Sequence, residues 1–253
     1  MSAPGWLVAK PVAHRGLHDR AHGVIENTCA AARGAIAANC AIECDVQMSR
    51  DGEAFVFHDE NLERLTAAQG RIDGIDARDL ARVQLVGCAE FIPSLSDFLA
   101  CVGGRTPLVI EIKSAFNGDM RLAERTASLV AQADGPIALK SFDPAIMAHL
   151  RAHRARLGLM QTPLGTVSEA RFEPAEYPEL DAETRLNLMH FLHWPQTRPE
   201  FLSWCVHDLP NGIPHLLRVA LGVPVMAWTV RTPHDWARAA RLADQAVFEG
   251  QVG

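Results

Sequence analysis

Hydrophobic positions along this chain fall into two alternating rhythms. Short apolar runs bounded by Gly, Pro, Asn or Asp predict strands, and apolar residues at three- and four-residue spacing predict helices. Strands are predicted over residues 11–15, Ala41–Met48, 53–58, 108–113, 136–142, 156–161, 188–194, 223–230 and Gln245–Phe248. Helices are predicted over residues 26–39, 120–133, 144–153, 213–221 and Pro233–Leu242. Pro144 opens the third of these and Gly222 closes the fourth. Residues 61–99 read as irregular, punctuated by Gly70, Asp73-Gly74 and Pro93, with short helices near 77–83 and 95–101. Residues 162–183 read as a loop with helical turns. Strands alternating with helices predict a parallel α/β fold, and a closed barrel and an open doubly wound sheet share that alternation.

The chain has 253 residues, a length that α/β barrels commonly fill as one domain, so a single domain over residues 1–253 is expected. A hydrophobic fraction of 48% supplies a sizeable core, and 21% charged residues exclude a disordered chain. The net charge is −6, without the basic stripe of a nucleic-acid binder, so no nucleic-acid partner is expected. An acidic protein acting on an anion needs local positive charge at its site, and a bound divalent cation is one source. Cys29, Cys40, Cys44, Cys88, Cys101 and Cys205 form no C-x-x-C pair and are expected to be reduced and structural. No run has signal-peptide character or approaches about 18 apolar residues, so no transmembrane segment is expected and a cytoplasmic location is the default.

The candidate chemistry gathers at strand ends. In the Ala41–Met48 strand, side chains alternate faces, so Glu43, Asp45 and Gln47 share one side. Glu111 and Lys113 repeat the arrangement in the 108–113 strand. Carboxylates inside apolar strands are costly unless paired or bound to metal. Two readings follow: a site for Mg2+ or Ca2+, which take oxygen ligands, or buried salt bridges with Lys113 or Arg15. His14-Arg15-Gly16 closes the first strand and His58-Asp59 follows another. Two histidines there suit general acid–base work, and the planar fork of Arg15 suits phosphate oxygens. His18 and His22 lie between Gly16 and Gly23 and read as rim or surface residues. The facing of Lys140 in its strand is open. If it points inward, it becomes a further phosphate contact.

These residues resemble the glycerophosphodiester phosphodiesterase family. The likeness runs in order through Val12-Ala13-His14-Arg15-Gly16, Glu26-Asn27-Thr28, Ile42-Glu43-Cys44-Asp45-Val46, the stretch from His58-Asp59 to Leu65-Thr66, Ile92-Pro93-Ser94-Leu95 and Glu111-Ile112-Lys113. Weaker echoes follow at Ser141-Phe142-Asp143 and Trp228-Thr229-Val230. The resemblance implies a (β/α)8 TIM-like barrel with an insertion after the second strand, at residues 57–102, that caps the site. It implies one divalent cation, Mg2+ or Ca2+, on Glu43, Asp45 and Glu111, and His14 and His58 as the acid–base pair. Arg15 and Lys113 would hold phosphate oxygens, Glu26 would be a further polar group, and Trp228 an apolar wall. The implied partner is a small glycerophosphodiester, split into glycerol phosphate and an alcohol.

Two departures from the family pattern carry expectations. Arg231 stands where Asn often follows Trp-Thr-Val, and an extra cation at the rim would favour an anionic head group. The chain stops at Gly253, with no helix after the last predicted strand, so a second subunit of a homo-oligomer is expected to cover that flank. Competing functions are a sphingomyelinase-D-like or lysophospholipase-D-type enzyme on the same barrel, or a catalytically silent binding barrel. The first lacks a basic amphipathic helix for lipid docking. The second is at odds with the presence of both histidines and all three carboxylates.

Overall fold

Eight parallel strands close on themselves in the computed structural model of this chain, which describes residues 3–251. The strands are β1 (Val12–Ala13), β2 (Ala41–Met48), β3 (Ala54–Val56), β4 (Leu108–Ile112), β5 (Ile137–Ser141), β6 (Leu164–Ser168), β7 (Phe201–Cys205), β8 (Val225–Val230) and β9 (Gln245–Phe248). β1 pairs with both β2 and β9, which closes the ring, while β3 folds back antiparallel on the end of β2 and stays outside it. The barrel is thus the fold expected. Its helices are α1 (Cys29–Ala37), α2 (Ala77–Leu80), α3 (Leu95–Val102), α4 (Arg121–Val130), α5 (Pro144–Ala152), α6 (Ala182–Met189), α7 (Trp194–Thr197), α8 (Gly212–Leu221) and α9 (Pro233–Leu242). Among the described residues, no helix is long and apolar enough to cross a membrane.

The period-two pattern of each strand divides the interior into two cores. Outward side chains such as Ile42, Cys44, Val46, Ile110, Leu139 and Leu202 pack under the helices. Inward side chains at the strand starts form an apolar floor of Val12, Ala41, Val109, Ala138, Phe201, Met226 and Val247. Leu7, from a 3-10 turn over Gly5–Val8, plugs this floor from below and is buried. Gly165 is required here: a Cβ on it would lie 2.3 Å from the ring of Phe201. Higher up β2, β4 and β5, the inward positions become charged.

Local signals explain the helix starts. Thr28 caps α1 by accepting a hydrogen bond from Ala31 N–H. Thr232 and Asp235 cap α9 reciprocally, with Pro233 in its first turn.

Two predicted strands are misplaced. Residues 156–161 are turns, because Gly158 adopts φ +73° and breaks the extended path. The strand is β6, inside the stretch read as loop; Gly165, Thr166 and Ser168 give it little apolar signal. Residues 188–194 are not a strand either. They hold the end of α6, a left-handed Phe191 (φ 57°) and the start of α7, and the strand is β7. The insertion is also shorter than 57–102 at its far end. Leu95, Phe98 and Val102 of α3 pack in the outer core as a barrel helix. The true insertion has its own small core, including Phe57, Leu62, Leu65, Ile72, Leu80 and Leu85.

The flank beside the last strand is not bare. The outward residues of β9, Ala246 and Phe248, are buried, and Trp236 of α9 lies 5.4 Å from the Phe248 ring. That removes the ground for expecting a subunit there; Gly253 itself lies outside the described residues.

Gly165→Ala forces the new methyl against Phe201 and is expected to cost about 1–3 kcal/mol. Urea unfolding checks this, and pairing it with Phe201→Leu should recover part of the loss.

Candidate active site

Glu43, Asp45 and Glu111 meet above the apolar floor. β2 presents the first two, and β4 places Glu111 opposite Asp45 in register. One carboxylate oxygen from each lies within 4.8 Å of the others, and all three residues are buried. Lys140 does point inward, but its ammonium is held by carboxylates. It sits 3.0 Å from Glu43 Oε1 and 3.1 Å from Glu111 Oε2. Lys113 bridges the other side, 2.9 Å from Asp45 Oδ1 and 2.5 Å from Glu111 Oε1. The salt-bridge reading of the sequence is therefore realised, with Lys113, Lys140 and Arg15 as partners.

Electrostatics follow from this packing. Burial pushes the Asp45 carboxyl up, but Lys113, His58, Arg15 and His14 more than offset it and hold it well below the usual range. Burial likewise opposes ionisation of Glu111, yet Lys113 and Lys140 bring it down to about 2. Lys140 is itself raised, because Glu43 and Glu111 outweigh its desolvation. Three carboxylates thus face two ammoniums and the Arg15 guanidinium, which Asp45 shares with Glu26. Glu43 Oε1 is buried with no hydrogen-bond donor aligned on it, although Lys140 is near.

The loop after β1 adds cations and an orienting amide. Arg15 has φ 57° and donates its backbone N–H to Glu43 Oε2 at 3.1 Å. Its guanidinium lies 2.7 Å from Glu26 Oε1 and 3.3 Å from Asp45 Oδ2. Glu26 is shared with Arg64 of the insertion, at 2.8 Å. Burial works against ionisation of Glu26, but Arg64 and Arg15 take it down to about 2. Asn27 donates to Asp45 Oδ2 at 3.0 Å and accepts from Asp45 N–H, which fixes that carboxylate in place.

Each histidine has a carboxylate behind it. His14 Nδ1 lies 2.6 Å from Glu249 Oε1, and its Nε2 is 3.9 Å from Glu43. His58 Nδ1 lies 2.7 Å from Asp59 Oδ1, and Arg64 grips Asp59 in turn. His58 thus comes from the insertion beyond β3 rather than from a barrel strand. Its carbonyl accepts from Gln47 on β2. Arg231 is engaged by Glu249 at 2.7 Å, so its charge is matched at the rim rather than offered to an anion.

Trp228 stands to the other side, its ring edge-on to Phe142 at 5.5 Å. Its indole N–H is buried without an acceptor among the described residues. With Tyr177 it lines a cavity of about 310 Å3 that His58, Glu111 and Lys113 share. All the expected site residues thus converge on one end of the barrel. Glu249, Asp59, Asn27 and Tyr177 were missed. Glu249 follows the last strand, so the strand-end rule used for Glu43 and Glu111 would have found it. A further group, Glu169, Cys205 and Asp208, also lies close together, but Asp208 accepts from Ala170 N–H and Glu169 from the Tyr177 hydroxyl.

The comparisons with known proteins agree on one family. The sequence profile of the "Glycerophosphoryl diester phosphodiesterase family" matches residues 14–251. A curated "Glycerophosphodiester phosphodiesterase" of Caldanaerobacter subterraneus is 33% identical over 111 residues, which is 41% of this chain and 44% of that protein. The chain therefore aligns with less than half the length of that relative. An Oleispira antarctica phosphodiesterase, solved with the product sn-glycerol-3-phosphate, superposes with a TM-score of 0.75 at 20% identity, covering 96% of this chain and 93% of that one. A Thermotoga maritima glycerophosphodiester phosphodiesterase gives 0.68 at 21% identity, covering 94% of each chain. At these identities, the superpositions establish the shared fold.

Two outcomes test the electrostatics. Lys140→Met leaves Glu43 and Glu111 short of a buried partner, and the ion-free protein should lose about 3–5 kcal/mol in urea unfolding. The second concerns Glu169. Burial pushes its carboxyl up to about 7, against the opposing bond from Tyr177 and with help from Asp208 and Glu176. The folded protein therefore holds this proton more tightly than the unfolded chain. Stability is retained below pH 4.5 and lost as pH rises toward 7. Urea midpoints across this window should show a smaller decline in Glu169→Gln than in the native protein.

Proposed function

Because the chain belongs to the glycerophosphoryl diester phosphodiesterase family, we propose that it hydrolyses glycerophosphodiesters to glycerol phosphate and an alcohol, using one divalent cation and a histidine acid–base pair. The observation that carries this reading is the convergence of Glu43, Asp45 and Glu111 within 4.8 Å, buried, with His14 3.9 Å from Glu43 and His58 lining one cavity with Glu111.

The residues fit a cation. Their donors are all carboxylate oxygens, the set that Mg2+ and Ca2+ prefer. Glu43 Oε1, buried with no hydrogen-bond donor aligned on it, favours an added positive ion. Glu43, Asp45 and Glu111 would hold it. Its chemistry would be to neutralise these carboxylates and draw charge from the phosphate oxygens.

The protein's own groups do the rest. Arg15, oriented by Glu26, and Lys113 bind non-bridging phosphate oxygens and stabilise the charge that builds on them. Glu249 and Asp59 occupy Nδ1 of His14 and His58, which leaves Nε2 of each ring for the reaction. One histidine removes the proton from the nucleophile, either water or the substrate's own glycerol hydroxyl. The P–O bond to the leaving alcohol breaks as the other histidine delivers a proton to that oxygen. Where the glycerol hydroxyl attacks, water then opens the cyclic ester. Trp228 supplies an apolar wall beside the substrate.

Release of glycerol phosphate from a glycerophosphodiester should stop after chelation and dialysis and return with Mg2+ or Ca2+. His14→Ala and His58→Ala should each lower kcat by about 10²–10⁴-fold. Full turnover by the dialysed enzyme would remove the cation from the proposal.

A further inference from the structure

Two cavities flank Lys113 and His58, and they differ in character. One, of about 520 Å3, is polar and carries both signs of charge, with Arg50, Arg71, Asp73 and Asn117 among its walls. The other, of about 310 Å3, is lined by Glu111, Lys113 and His58 and by the rings of Phe142, Tyr177 and Trp228.

Those rings are held at different angles. Trp228 meets Phe142 at 86°, and Tyr177 lies 6.2 Å from Phe142 at 50°. Phe172 packs behind, 5.0 Å from Tyr177, and the Tyr177 hydroxyl is tied to Glu169. The loop between β6 and α6 contributes two more walls, Glu176 and Glu179. Neither carboxylate is in an ion pair with another described residue, whereas Lys113, which shares the cavity, is bound to Asp45 and Glu111.

Aromatic faces with unmatched carboxylates beside them attract a cation that is itself weakly hydrated. A phosphate held at Lys113 would place its ester substituent in this cavity. We propose that the 310 Å3 cavity is the head-group subsite, and that it selects glycerophosphodiesters whose alcohol carries an alkylammonium group over those with a neutral or anionic alcohol. The proposal rests on the phosphodiesterase reading above. The polar cavity then takes the glycerol hydroxyls. This reverses the anionic preference expected from Arg231, whose charge Glu249 already matches.

The test compares kcat/KM for glycerophosphocholine and for glycerophosphoglycerol in the native enzyme and in the Glu176→Gln/Glu179→Gln and Tyr177→Leu variants. The choline ester is expected to be preferred, and each variant should lower the ratio of the two constants by about fivefold or more. An equal or inverted ratio in the native enzyme, or a ratio that neither variant changes, overturns the proposal. Binding of choline chloride alone, followed by saturation-transfer NMR, separates the two readings. If neither ester is cleaved but choline binds and the carboxamide variant loses it, the phosphodiesterase reading fails and the cationic subsite stands. If the esters are cleaved without preference and choline does not bind, the subsite fails and the phosphodiesterase reading stands.

Discussion

The folded barrel must keep ionised groups where water does not reach. Glu43, Asp45, Glu111 and Lys140 are all buried, and Lys113 is nearly so. None could remain charged there alone, since desolvating one ion costs several kcal/mol. They persist because each touches an opposite charge on a neighbouring strand. β2 supplies two anions, β4 an anion with the cation Lys113 just after it, and β5 a cation. Parallel pairing in register is what brings these groups together, so the charge network and the strand order specify each other. Such a network stabilises less than an apolar core of equal volume would. Its retention points to chemistry rather than to stability.

The sequence was most readable where one strand face is strongly apolar. Ala41–Met48 and Gln245–Phe248 have the predicted bounds because their outward residues alternate cleanly with others. β6 escaped notice because Gly165 is small to admit Phe201, and its outward Thr166 and Ser168 are polar. The neighbouring Arg156–Gln161 stretch had the better apolar rhythm but spends it on a turn around Gly158, with Leu159 buried. Packing across the barrel decided between them, and no local pattern contains that information. Site residues were legible when they sat at strand ends beside recognisable motifs. The partners behind them were harder to see. Asn27 and Asp59 stand within named motifs, yet the bonds they make to Asp45 and His58 are not readable from those motifs.

Division of labour within the site follows the architecture. Barrel strands hold the groups that must not move, namely the carboxylates and Lys140. Connecting segments bring the other charged and aromatic groups gathered at that end: Arg15 after β1, His58 and Arg64 from the residues after β3, and Tyr177 from the loop after β6. The insertion keeps its own apolar core around Phe57, Leu62 and Ile72, so His58 is presented by a packed unit and not by a free loop. The ion pairs of Arg64 with Glu26 and Asp59 fasten that unit to the barrel rim.

The plug formed by Leu7 has a kinetic meaning. With Phe201, Met226 and Val247 it fills the barrel at the end away from the charged centre, so that centre is approached from the opposite end. Whatever enters must leave by the route it came. On the phosphodiesterase reading, a departing alcohol and a departing phosphate would share that doorway with the next incoming molecule.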